Sequence, residues 1–95
     1  MLTDRKRLEK IRKELLESEE NSYARMTKDN VLYDLIASTE KETEELSSFI
    51  IIPIYEHDIE FLKEILKELG YYNPTYEKEY NYFFSTTCYN VRLRK

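Results

Sequence analysis

The sequence predicts a small α+β domain of order ααβαββ, with its helices packed on one face of a three-stranded antiparallel or mixed sheet. Three observations carry that prediction. Apolar residues recur at helical spacing in three stretches. A β-branched run, Phe49-Ile50-Ile51-Ile52, separates the second stretch from the third. The closing segment is rich in Tyr, Phe and Thr and alternates apolar with polar side chains. At 95 residues and 41% hydrophobic content the chain supports one modest core and therefore a single domain, 1–95.

The first helix is expected over 3–20, where Leu8, Ile11, Leu15 and Leu16 fall on one narrow stripe. A stripe that narrow packs on the edge of a domain or pairs with a copy of itself. Residues 1–21 are thus expected as a basic amphipathic helix at the periphery of a core spanning 22–95. Glu19-Glu20-Asn21-Ser22 interrupts the pattern. A second helix starts between Ser22 and Asp29, with Thr27 or Asp29 as its cap, and runs to about Leu46. Val31, Leu32, Leu35, Ile36, Thr39 and Leu46 form its apolar face, and residues 40–45 form its polar back.

A strand follows over 49–55. Pro53 lacks an N–H, which places this strand at a sheet edge or puts Pro53 near the strand end. The third helix carries Ile59, Phe61, Leu62, Ile65, Leu66 and Leu69 on one arc, opposite Glu60, Lys63, Glu64, Lys67 and Glu68. Gly70, the only glycine, terminates it in a left-handed cap that lets Tyr71 fold back. After a turn at 71–74, strands are expected over 75–84 and 86–94, with a turn or bulge near Ser85-Thr86-Thr87. Tyr89, Val91 and Leu93 alternate with Asn90, Arg92 and Arg94, the pattern of a half-buried strand.

The order Ala24-Arg25-Met26-Thr27, amphipathic helix, Ile-rich strand, Leu62 to Leu69, Gly70-Tyr71 and a Tyr-rich closing strand resembles small uncharacterised phage and prophage proteins. The resemblance covers roughly residues 24–94. Ser47-Ser48 departs from it, since those proteins commonly carry Gly or Ala before the first strand. It implies a phage or mobile-element origin and no particular activity.

Net charge is −4, but the distribution says more. Residues 1–13 hold six basic against two acidic side chains, residues 14–79 six against seventeen, and residues 80–95 three against none. Both ends are basic and the middle is acidic. The acidic middle suits a basic protein surface; the basic first helix suits nucleic-acid phosphates.

Several chemistries are set aside. A lone histidine, His57, cannot supply a two-His metal site, and a lone cysteine, Cys88, cannot supply a disulfide or a thiolate zinc cluster. His57 is expected on the polar arc of the third helix near Glu60 and Glu64, with Glu56 and Asp58 pointing elsewhere. Cys88 reads as a small half-buried strand residue. One glycine rules out both the phosphate-binding loop and the dinucleotide fingerprint. Tyr80, Tyr82, Phe84 and Tyr89 form a possible base-stacking platform, but sheet packing explains them better because only Arg92, Arg94 and Lys95 lie nearby.

The chain is therefore expected to be a cytoplasmic, non-catalytic protein without cofactor, metal or membrane partner. Its expected action is protein–protein binding, including inhibition of a host factor, through Glu40, Glu42, Glu44 and Glu45, with Glu60 and Glu64 as a second patch. The alternatives are nucleic-acid binding through Arg5, Lys6, Arg7, Lys10 and Arg12, or assembly into a homo-oligomer through the N-terminal helix.

Overall fold

A computed structural model of the chain describes residues 2–94. In chain order the elements are α1 (Asp4–Ser18), α2 (Ser22–Ala37), β1 (Phe49–Ile51), α3 (Asp58–Glu68), β2 (Thr75–Asn81) and β3 (Thr86–Arg92). The fold is α+β, and its three strands form one antiparallel sheet of order β1-β3-β2.

Strand register fixes which residues share a face. Val91 lies opposite both Phe49 and Tyr76, and Tyr89 lies opposite Ile51. These side chains meet Leu8, Val31, Leu32, Leu35, Leu62, Ile65 and Leu66 in a single core. The other face stays open, with Ile50 60% exposed. Cys88 alternates with Tyr89 and so belongs to that outer face, although its small side chain is buried there. As Pro53 requires, β1 is an edge strand, and it ends before the proline.

The helices are separate rods. Asn21 caps α2 by accepting from the N–H groups of Tyr23 and Ala24 at 3.0 Å each. The expected caps are otherwise engaged: the Thr27 hydroxyl donates to the Ala24 carbonyl, and Asp29 pairs with α1. Arg12 donates to both Asp29 oxygens, at 2.6 and 3.2 Å, and this hydrogen bonding raises the guanidinium pKa. Helix α1 packs on the core with Leu8 fully buried and Ile11 and Leu15 against it, whereas Leu16, the last residue of the expected stripe, is 47% exposed.

Helix α2 stops at Ala37, well short of Leu46. The Ser38 and Thr39 hydroxyls donate back to the carbonyls of Asp34 and Ile36, closing the last turn on itself. Residues 39–46 instead form a turn closed by a Thr39–Leu46 bridge, with Glu44 in the left-handed region at φ 58°. Helix α3 ends as its sequence requires. Gly70 adopts φ 97°, its N–H donates to Lys67, and the Tyr71 N–H donates to the Leu66 carbonyl at 2.9 Å.

Strand β2 is also shorter than expected, because Asn81 pairs with Thr86 and residues 82–85 form the hairpin loop. Asn81 accepts from the Phe84 N–H, and Ser85 turns at φ 50°.

Glu56 ties the segment before α3 to the sheet, accepting from Lys78 and, at 2.7 Å, from the Tyr89 hydroxyl. The Lys78 bond, then that of Tyr89, lowers the Glu56 pKa. A carboxylate with a lowered folded pKa adds stability above its unfolded pKa and loses it as pH falls through the folded value. Glu56→Gln is therefore expected to flatten the acid limb of a stability–pH profile measured by urea unfolding. Parallel profiles for the two proteins would contradict this.

Candidate functional site

Two helices of this fold leave a groove between them. Ile11 and Leu15 on α1 are four residues apart, as are Phe61 and Ile65 on α3, so each pair stacks along its helix. Together they floor a 370 Å³ groove whose walls are Glu14, Ser18, Glu64 and Glu68. The three glutamates are exposed, and none forms an ion pair with a described residue.

Both ends of the groove continue. Ile11, Glu14 and Glu68 also line a 210 Å³ hollow with Leu2, Arg7 and Lys10. Phe61 and Glu64 also line a 310 Å³ cavity with Tyr23, Thr27, Lys28, Tyr55, His57 and Asp58. The Lys28 ammonium sits 5.6 Å from the centre of the Phe61 ring. The surface is therefore an apolar trough with acidic walls along its middle, mixed in charge where Arg7 and Lys10 face Glu14 and Glu68 at one end and where Lys28 lies with Asp58 and Glu64 at the other.

The Tyr55 cavity gathers titratable groups and merits a test as a catalytic site. His57 precedes α3 rather than lying on it, and its Nε2 comes within 3.7 Å of the Asp58 carboxylate. That contact, between neighbours expected to diverge, is longer than a hydrogen bond. Asp58 instead accepts from the Tyr55 N–H at 3.1 Å, closing the turn that starts α3. The imidazole stacks flat on Tyr55, with ring centres 5.3 Å apart.

The Tyr55 and Tyr23 hydroxyls bond each other, which raises the Tyr55 pKa, and the Thr27 hydroxyl is bound to Ala24. Each hydroxyl here has a structural partner. Among the described residues that line this cavity, no nucleophile is paired with a base.

Glu64 belongs to the groove. Glu60 does not line it and lies 3.6 Å from Lys63. Glu40 and Glu42 are exposed on the 39–46 turn. Glu44 and Glu45 are half-buried, and Glu44 accepts from the Thr3 hydroxyl and from the Arg5 N–H. The first expected patch thus lies on the 39–46 turn, and of the second, on α3, Glu64 alone lines the groove. Glu14 and Glu68 were not among the expected site residues; their signal was position at the margin of an apolar arc.

Of the basic residues of α1, Arg7 and Lys10 line one hollow and Lys6 is exposed, while others are held by acidic side chains. Arg12 is bound to Asp29, Arg7 donates to the Glu68 carbonyl, and Arg5 lies 3.9 Å from Glu9. Tyr89 is buried in the core, but Tyr80, Tyr82 and Phe84 are exposed, so sheet packing does not account for those three.

Among the described residues no group of His, Cys, Asp and Glu is placed to hold a metal ion, and no helix is long and apolar enough to cross a membrane. The chain matches no family model, no curated protein and no solved structure.

Proposed function

We propose that this protein acts by binding another protein, whose basic amphipathic helix occupies the groove between α1 and α3. One observation carries the reading: three exposed glutamates whose carboxylates form no ion pair with a described residue, Glu14, Glu64 and Glu68, wall an apolar floor. An apolar trough accepts side chains repeating at i, i+3, i+4 and i+7, and carboxylate walls select Lys and Arg beside that stripe. Such an occupant withdraws the partner's basic surface from whatever else it would bind. That is the inhibitory form of the proposal, and it suits the phage or mobile-element origin that residues 24–94 suggest.

The test is calorimetric titration with a synthetic 15-residue peptide, on the order of one length of α1. It carries Leu at i, i+3, i+4 and i+7 and Lys elsewhere. Saturable 1:1 binding that weakens with added salt is expected, with a dissociation constant on the order of 10 µM. A peptide of the same composition with its four Leu at i, i+2, i+4 and i+6 should not saturate. Equal binding of the two peptides, or binding of neither, would overturn the proposal.

A further inference from the structure

The loop joining β2 to β3 breaks the usual chemistry of turns. Such loops favour Gly, Asn, Asp, Ser and Pro, and here Asn81 and Ser85 supply the turning geometry at either side. Between them stand Tyr82, Phe83 and Phe84, which are 86%, 88% and 62% exposed. The Phe83 and Phe84 rings meet edge-on at 4.9 Å, and Tyr82 meets Tyr80 in the same way. The tip is therefore a knob, a protruding cluster of rings on a turn closed by its own backbone and Asn81. Clustered aromatics in solvent mark interaction sites, because buried rings dominate binding energy.

Charge narrows the occupant. Glu77 and Glu79 alternate with the core-facing positions of β2 and stand exposed on the strand that leads into the knob, Glu79 the nearer of the two, while Lys78 is bound to Glu56. We infer that the knob inserts into an apolar pocket rimmed by Lys and Arg on a protein partner. This is independent of the α1–α3 groove. A protruding tip requires a concave receiver, and the chain's own groove is walled by Glu14, Glu64 and Glu68, which repel Glu77 and Glu79. Nucleic acid needs cations beside the stacking rings, and Arg92 lies at the far end of β3. Anionic lipid headgroups face the same repulsion.

The experiment places a photoreactive phenylalanine analogue at position 83 of the full chain, illuminates the cells that make it, and maps the adduct by mass spectrometry. The expected adduct lies in an apolar pocket of one protein, with Lys or Arg at its rim. Its yield should fall at least ~10-fold in the Glu77→Lys/Glu79→Lys variant, confirmed folded by an unchanged thermal midpoint. The analogue at exposed position 72 should not label that pocket. With the purified pair, Phe83→Ala should weaken binding about 30-fold. An adduct with a second copy, a lipid, a nucleic acid or an uncharged surface would overturn the inference. So would no adduct, or a yield untouched by charge reversal.

Discussion

Asp4→Ala is expected to cost about 3 kcal/mol of stability and to lower the thermal midpoint by roughly 15 °C. Asp4 opens α1, where a carboxylate also complements the helix dipole, yet it is only 5% exposed. Its Oδ2 accepts from the Leu46 N–H at 2.9 Å and from the Tyr71 hydroxyl at 2.6 Å. One side chain thus joins the start of α1, the 39–46 turn and the residue that follows Gly70. Removing it takes the acceptor from two buried donors, at ~1–3 kcal/mol each. Burial first, and then the bond to Asp4, raises the Tyr71 pKa, so the phenol stays a donor at any ordinary pH. Tyr71→Phe should cost about 2 kcal/mol, and the double variant less than the sum of the two because they share a bond. Urea unfolding measures all three. A loss below ~1 kcal/mol for Asp4→Ala would show that this contact is not what holds α1 in place.

The second large effect concerns binding. Reversing Glu14, Glu64 and Glu68 to Lys should weaken the helical peptide about 100-fold. Each site then contributes ~1 kcal/mol of lost attraction and new repulsion. Reversing Glu40 and Glu42 should change affinity by less than about twofold, because that turn lies off the groove. The carboxylates of the three groove glutamates form no ion pair with a described residue, so their replacement breaks none. Comparable losses in both variants would indicate a diffuse attraction of basic peptides to an acidic protein.

Much of the fold is legible in the sequence because the decisive signals are local. Gly70 after Leu69 marks the end of α3, and the alternation of Tyr89 and Val91 marks the core face of β3. The end of α2 was less legible, since Ser38 and Thr39 stop it by bonding to their own helix, and the acidic run beyond reads as more helix. Asn21 reads as an interruption, although it is also a strong cap. Asp4 looks like any solvated first-turn acid, because its donors come from residues 46 and 71. The groove was hidden for the same reason. Its walls come from residues 11–18 and 61–68, and only packing brings those segments together. Tyr82, Phe83 and Phe84 carry the composition of a strand, so their place in a turn emerges only from the pairing of Asn81 with Thr86.

The most direct measurement is amide chemical-shift mapping of the labelled protein as the helical peptide is added. Saturating shifts should appear at Ile11, Leu15, Phe61 and Ile65 and at the glutamates beside them, while residues 40–45 and 82–84 stay still. If the largest shifts fall in either of those loops and the two helices stay silent, the groove is not the binding surface.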